Sequence, residues 1–320
     1  MADLDPRNKG DGWERNVLEK VALAAIAEQR TARRWSMAFK MLVMIYLFLV
    51  LFLGMGWLKK AGDKSTGKHT AMVELRGVIA SEGQASADNV TSGLQAAFKD
   101  SNTVGVVLRI NSPGGSPVQA GYINDEIKRL RGLYPNIPLY AVVEDICASG
   151  GYYVAVAADR IYVDKASIVG SIGVVMDGFG FTGTMEKLGV ERRAIAAGEN
   201  KKFLDPFSPV NPAHKAFAEK MLAEIHEQFI TVVRQGRGKR LKETPELFSG
   251  LVWVGPKSIE LGLADALGSV DSVARDVIKA EDVVDFTPHE NIAERVARKF
   301  GAAMAEALVK VSATGGAQLR

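Results

Sequence analysis

The sequence predicts an α/β fold with a largely parallel sheet, preceded by one helix that crosses a membrane. Three observations support this prediction. Apolar segments alternate with segments of helical period over residues 70–287, an uncharged apolar run occupies Met41–Leu58, and glycine-bearing turns follow predicted strands. Buried strands separated by helices are typical of βαβ units, in which the strands run parallel.

The composition limits the classes of function. The chain has 320 residues, enough for one large domain and an appendage. Its net charge is only +3, with no basic face interleaved with aromatic residues, which disfavours nucleic acid as a partner. Cys147 is the only cysteine, so intramolecular disulfides and multi-cysteine metal sites are excluded. The histidines show no ligand spacing, so no metal or cofactor is expected; they are His69, His214, His226 and His289.

The first predicted element is a membrane anchor at Met41–Leu58. An uncharged helix of this length would extend about 27 Å, close to the hydrocarbon thickness of a bilayer. Trp35 and Trp57 lie near its two ends, as interfacial aromatic residues do. A cleaved secretory signal is the alternative, but its apolar core would be shorter and would follow a short basic start. We therefore predict an arm at 1–40, a retained anchor at 41–58 and a polar linker at 59–69.

Charge does not set the orientation of this anchor. Residues 21–40 contain four Lys and Arg, and residues 58–77 contain five. Because the positive-inside rule depends on an asymmetry between the two flanks, it gives no firm answer here. We favour a cytoplasmic arm with the large domain outside.

The domain elements follow in order. Strands are predicted at 70–80, 104–110 and 137–144, and helices at 87–100, 118–134 and 212–235. The segment 291–313 has helical period and predicts an amphipathic helix within a tail at 288–320. This helix could pack on the domain, touch a membrane surface or contact another subunit.

Three glycine-bearing turns follow predicted strands, at 111–117, 148–153 and 170–175. The carboxyl ends of parallel strands lie at one edge of a sheet, so these turns can converge on a ligand. The amides of Gly114 and Gly115 could point at a developing oxyanion. Gly150 directly follows Ser149, where the second donor lies in other nucleophile turns.

Ser149 has two interpretations. Serine on a sharp strand-to-helix turn can be a nucleophile, but serine is also a favoured helix N-cap. Taken alone, the sequence "ASGGYY" is more often structural than catalytic. The catalytic interpretation depends on the other two turns and on a base.

The base for such a serine is expected to be a lysine. No histidine lies in the three turns, and Ser-Lys pairs are the known alternative to a Ser-His arrangement. The loop 196–209, after a predicted strand at 191–198, offers Lys201 and Lys202 followed by apolar residues. A basic lysine needs shelter from water, because burial disfavours its charged form. Residue type alone does not separate the two lysines, whose default interpretation is solvated surface charge.

Taken together, the segments "NSPGG", "ASGGYYVAVAADRIY", "GSIGVV" and "GENKKFLDPFSP" resemble the S49 family of serine peptidases, of the signal peptide peptidase A type. The resemblance covers most of residues 70–287 and suits the short, single-module form of the family. By position in the motifs it implies these roles: Ser149 as nucleophile, Lys201 as general base and acid, Ser171 as the residue that orients the lysine, and Gly114 or Gly115 with Gly150 as oxyanion donors.

The resemblance also settles smaller points. Lys202 falls one place beyond the matching lysine, and Cys147 is better interpreted as a small buried residue than as a rival nucleophile. Asn111 stands where many members have an acidic residue, which does not affect the assigned chemistry.

The resemblance implies a fold and an activity. The fold is that of the crotonase and Clp-protease group, a spiral of ββα units, and members assemble into ring-like homo-oligomers. The implied activity is that of a membrane-anchored serine endopeptidase without cofactors, which hydrolyses apolar peptides, in particular signal peptides left in the membrane. The domain would then face the periplasm or cell exterior, with one span in the inner (plasma) membrane and the arm in the cytoplasm.

Two alternatives stay open. One keeps the fold but makes the protein a crotonase-type acyl-CoA hydratase or isomerase, with Glu144 or Asp145 as a carboxylate base. A membrane anchor and a Ser-Lys pair would have no purpose there. The other is a non-enzymatic membrane scaffold, against which intact Ser149, Ser171 and Lys201 argue only weakly.

Overall fold

The computed structural model describes residues 11–54 and 67–288. The chain divides into two units, of which Asp63–His289 is the larger. Helix α1, Asp11–Gly54, belongs to the other unit and is continuous over 44 residues. Most of the predicted arm and the first part of the predicted anchor are therefore one helix.

The predicted anchor is only partly described. Among the described residues, no helix combines the length and the apolar character that a membrane crossing requires. Residues 55–58 of the Met41–Leu58 segment lie outside the described residues, as do 59–66 of the linker and 289–320 of the tail. The anchor, the linker and the C-terminal helix stay predictions.

Within residues 67–288 the strands form one eight-stranded sheet. Its members are β1 His69–Arg76, β2 Thr103–Ser112, β3 Leu139–Ala148, β4 Arg160–Val163, β5 Ile168–Gly170, β6 Val252–Val254, β7 Ala266–Leu267 and β8 Val283–Asp285. The order is β6-β5-β3-β2-β1-β8, and β4 pairs with both β3 and β7. All pairings are parallel except that of β5 with β6, which confirms the predicted α/β class.

The helices of this unit connect the strands. They are α2 Ala87–Lys99, α3 Pro117–Leu133, α4 Gly150–Ala155, α5 Thr182–Leu188, α6 Pro212–Arg237, α7 Gly255–Glu260 and α8 Val270–Ser272, with a 3₁₀ turn at Gly238–Arg240 and a π-helix at Val273–Ile278. The bounds of α2, α3 and α6 are close to those predicted. At the N-termini of α2 and α3, the side chains of Ser86 and Ser116 accept hydrogen bonds from Asn89 N and Gln119 N, respectively.

The core follows from the alternation of side chains along the strands. Every second residue of β1, β2 and β3 packs with the apolar faces of α2, α3 and α4 in one large cluster. On the opposite face of the sheet, a smaller cluster joins Val107 and Val142 to Val273 and Ile278 of the π-helix. The middle strands are thus buried on both faces, as the sequence predicts for a parallel sheet.

The two halves of β3 have different partners. Tyr140–Val142 pairs with β4, whereas Ile146–Ala148 pairs with β5. A register irregularity in the β2–β3 ladder separates the halves. The carboxyl end of β3 therefore lies between β2 and β5, beside the turns that follow them.

The predicted strand at 191–198 is wrong. These residues form no strand, and all but Ala194 are exposed. Arg192 pairs with Asp205 and Arg193 with Glu191, so charged side chains occupy the first half of the segment, and Ile195 in the second half is exposed and packs on no core. A strand needs an apolar face to pack on a core.

Candidate active site

Ser149 lies at the turn from β3 to α4. Its backbone has φ 51° and ψ −123°, an unfavourable region for a residue with a Cβ. Its N–H donates to Gly170 O at 2.9 Å, and its carbonyl accepts from Tyr153 N at 3.0 Å, which hold it in this conformation. The side chain makes no capping hydrogen bond, so the N-cap interpretation is wrong. The turn instead has the strained strand-to-helix geometry in which nucleophilic serines occur.

The turn after β2 packs directly against Ser149. Gly114 has φ 100°, and a Cβ built on it would lie 2.7 Å from both Gly150 N and Ser149 Cβ. Gly115 has φ 146°, and its Cβ would lie 2.1 Å from Ile79 O. Only glycine allows this approach of the two turns. The predicted convergence of the first two turns is therefore present.

The backbone amides at this contact are not equivalent. Gly114 N–H donates to Ser112 Oγ at 3.1 Å, so it is already occupied. Within residues 67–288, neither Gly115 N–H nor Gly150 N–H donates to a protein acceptor, and both residues line the cavity beside Ser149. Of the predicted donors, Gly115 and Gly150 are those the structure leaves available.

Ser171 lies in the turn after β5 and lines the same cavity. It has φ 52°, and its N–H donates to Leu251 O at 2.7 Å. The neighbouring carbonyl of Ile172 is hydrogen-bonded to Nε2 of His226, at 3.1 Å. His226 belongs to α6 and is one of the four histidines without ligand spacing in the sequence. Its link to the third glycine turn could not be recognised from the sequence.

The cavity that joins these turns has a volume of about 440 Å³. Its walls combine polar and apolar groups, and α6 contributes the apolar side chains of Ile225 and Phe229 to them. Tyr153 and Gln228 also line the cavity. The Tyr153 ring packs on that of Phe229, with ring centroids 5.2 Å apart. A cavity of this size and character accommodates an apolar side chain next to Ser149.

The predicted base does not line this cavity. Lys201 is exposed and lies in the turn after Gly198, whose carbonyl accepts from Lys201 N at 3.1 Å. Lys202, also exposed, lines a second cavity of about 840 Å³, together with His214 and Lys215 of α6. Within the described part of one chain, the structure thus brings together Ser149, Ser171 and the glycine amides, but not Lys201.

The other ionisable groups near Ser149 are occupied or buried. Glu144 accepts hydrogen bonds from Arg76 at 2.7 Å and from Arg109 at 2.6 Å, and Asp145 accepts from Asn111 at 2.8 Å. Burial raises the pKa of the Cys147 thiol far above its ordinary value, so this group stays protonated at neutral pH. Both carboxylates thus already have hydrogen-bond partners, and a buried thiol is a poor nucleophile.

Comparison with known proteins gives a family match and several relatives. The model of peptidase family S49 matches residues 133–284. The Na(+)/H(+) antiporter NhaA of Brucella melitensis is 44% identical over 182 residues, which are 57% of this chain and 25% of that protein. The chain therefore spans a quarter of the length of this relative.

Two further relatives match over more of their length. "Putative protease slr0021" of Synechocystis sp. is 31% identical over 205 residues, 64% of this chain and 72% of that protein. "Putative signal peptide peptidase SppA" of Enterococcus faecium is 27% identical over 233 residues, 70% of this chain and 67% of that protein.

Proposed function

The chain belongs to peptidase family S49, and from this premise we propose that it is a serine endopeptidase with Ser149 as its nucleophile. One observation carries the proposal. Ser149 sits in a strained turn and lines a cavity with apolar side chains in one wall, beside two backbone N–H groups that have no acceptor in the described part of the chain. Such donors stabilise the oxyanion of acyl transfer.

The proposed reaction begins with attack of Ser149 Oγ on a peptide carbonyl. A C–O bond forms as Lys201 Nζ accepts the hydroxyl proton, and the carbonyl oxygen becomes an oxyanion held by the N–H groups of Gly115 and Gly150. Lys201 then donates the proton to the leaving amine as the C–N bond breaks. Water hydrolyses the resulting ester, again with Lys201 as base, and Ser171 orients the lysine by a hydrogen bond.

The position of Lys201 makes this dyad depend on another arrangement of its segment. We define the Lys201 segment as residues 174–211. It exposes several large apolar side chains, some by more than 70%: Val175, Phe179, Leu188, Ile195 and Val210. Covering these side chains would be favourable, and it would shelter a lysine from water as a basic role requires. We propose that Lys201 reaches Ser149 when a neighbouring copy packs on this segment, which fits the expected homo-oligomer.

The substrate class follows from the cavity and the family. An apolar peptide fits the walls at Ile225 and Phe229, and one relative is named a signal peptide peptidase. We propose apolar peptides, including signal peptides left in a membrane, as substrates. The anchor predicted at Met41–Leu58 would hold the enzyme in the inner (plasma) membrane, in contact with lipid, with the domain on the extracytoplasmic side.

The test compares Ser149→Ala and Lys201→Ala with the matched control Lys202→Ala, using full-length protein and a synthetic signal peptide. We expect the first two variants to lose about 10³-fold or more in kcat, because residues of one catalytic unit fail together. Lys202→Ala should stay within about threefold. Full activity in either of the first two variants would refute the assignment.

Mixing the two inactive variants locates the lysine. If Lys201 acts on a neighbouring copy, a mixture of Ser149→Ala and Lys201→Ala contains sites with an intact serine and an intact lysine, and activity returns. If Lys201 acts within its own chain, the mixture stays inactive. Labelling of Ser149 by a fluorophosphonate or boronate separates the peptidase from both the acyl-CoA hydratase and the scaffold, since neither of these needs a nucleophilic serine.

A further inference from the structure

We infer that Asn124 is a positioning residue that holds Ser149 in its reactive place by capping the far end of helix α4. This inference rests on the proposed role of Ser149. Asparagine is a polar residue, and it occupies a core position at which an apolar residue would be favoured. Asn124 lies on the buried face of α3, among Ala120, Ile123 and Ile127, and it is completely buried.

The side-chain amide of Asn124 makes one hydrogen bond within the described residues. Its Nδ2 donates to the carbonyl of Tyr153 at 2.7 Å, whereas its Oδ1 has no partner among the described residues. A buried amide that satisfies only one of its polar atoms is unfavourable for stability compared with an apolar residue of similar size. A role beyond packing would explain its presence at this position.

The bond to Tyr153 supplies what α4 lacks. This helix has only six residues, and so short a helix is not stable without tertiary support. The backbone N–H next in register, that of Ala157, donates to Val154 O instead of Tyr153 O. Asn124 therefore satisfies a carbonyl that the end of the helix leaves open.

Tyr153 connects this cap to the nucleophile. Its N–H donates to Ser149 O at 3.0 Å, which closes the first turn of α4 behind the strained residue. Its side chain also lines the cavity at Ser149. If the Asn124 bond is lost, the helix can unwind from its C-terminal end, and the serine moves. An error of about 1 Å in a reacting group can slow catalysis by about a hundredfold.

The chain offers a matched control on the same helix. Arg131 of α3 donates from Nη1 to Ala157 O at 2.6 Å and pairs with Asp159. It therefore ties α3 to the residues beyond α4, but not through Tyr153. Removing it should lower thermal stability without moving Ser149.

The test uses Asn124→Leu and Arg131→Met in the full-length protein. Leucine has nearly the shape of asparagine, so the core stays filled while the donor is lost. We expect Asn124→Leu to keep the thermal stability of the native protein, to lose about tenfold or more in kcat, and to change KM by less than about threefold. Arg131→Met should instead lower the thermal stability and keep the native kcat and KM. If Asn124→Leu does not fold, Asn124→Ser carries the same test with a smaller side chain.

Hydrogen exchange gives a readout that does not depend on catalysis. We expect the hydrogen-bonded amides of residues 153–158 to exchange about tenfold faster in Asn124→Leu than in the native protein, with no such change in exchange at Tyr153 in Arg131→Met. Native kcat in both Asn124 variants, or an equal loss of kcat in Arg131→Met, would overturn the inference. An inactive native enzyme would refute the proposed function, while the exchange rates still decide whether Asn124 holds α4.

Discussion

Gly114→Ala should abolish activity by separating the two turns at the active site. The added Cβ would lie 2.7 Å from Gly150 N, 2.7 Å from Ser149 Cβ and 2.8 Å from Ala148 O. All three atoms belong to the nucleophile turn, so no flexible side chain can move aside. Alanine at φ 100° is also strained, by about 1–3 kcal/mol. Displacing an oxyanion donor costs about 10²–10³ in kcat. The free energy lost in stabilising the transition state should therefore exceed the free energy of unfolding lost through strain.

The control for this variant is Gly121→Ala. Gly121 lies inside α3, and a Cβ on it would meet no atom within 4 Å. Alanine in a helix interior is favoured over glycine by about 0.5–1 kcal/mol, so this variant should be slightly more stable and fully active. The assay is hydrolysis of a fluorogenic apolar peptide, with urea unfolding measured on the same samples. A folded Gly114→Ala enzyme with activity within about threefold of native would refute the close-packing argument.

Three further predictions concern groups outside the reacting atoms. Burial raises the pKa of the Cys147 thiol, so iodoacetamide should label it only after unfolding and should leave native activity unchanged; stoichiometric labelling of native protein would contradict this. Arg237 is buried and binds Asp265 through two 2.9 Å hydrogen bonds. Arg237→Met should therefore lower the free energy of unfolding, measured in urea, by about 3–5 kcal/mol, because it leaves the Asp265 charge unpaired. An unchanged urea midpoint would show that the pair is dispensable. Burial raises the pKa of Asp265, but the hydrogen bonds and charge of Arg237, the hydrogen bond from Ile161 N and the charge of Arg240 together lower it by more. Its contribution to stability is therefore present above the ordinary carboxyl pKa, near 3.9, and is lost as the pH falls through the lowered folded value. Asp265→Asn should flatten the loss of stability below about pH 4, and an unchanged acid profile would contradict the assignment.

The parts of the site that depend on local sequence could be predicted. An apolar strand followed by Ser149 and two glycines can only turn sharply, and the structure has that turn with Ser149 at φ 51°. The neighbouring glycine turn could be predicted because a parallel sheet aligns the ends of its strands. Both inferences use the chain within a few residues of the feature, where side-chain pattern determines conformation.

The parts of the site that depend on packing between distant segments could not be predicted from the sequence. Phe229 lines the cavity from a helix about eighty residues further along the chain, and His226 supports the turn at Ser171 from the same helix. Neither residue stands out in a helix whose period is simply amphipathic. Asn124 gave a local signal, a polar residue on an apolar face, but its partner Tyr153 is specified only by how α3 crosses α4. The false strand at 191–198 shows the opposite error, because the apolar run at 194–197 received more weight than the three charged residues directly before it.

The contrast between the serine and the lysine has a physical consequence for regulation. Ser149 is built on a buried, strained turn whose conformation is set by backbone hydrogen bonds to Gly170 and Tyr153, so it is preorganised in each single chain. Lys201 is on an exposed segment with apolar side chains directed to solvent, so its proposed place at the serine depends on a contact that residues 67–288 do not make among themselves. If a neighbouring copy makes that contact, specific activity should rise with protein concentration and then saturate, while the exchange rates of residues 149–153 stay constant. Constant specific activity down to concentrations where sedimentation shows only single chains would instead place the base within the same chain.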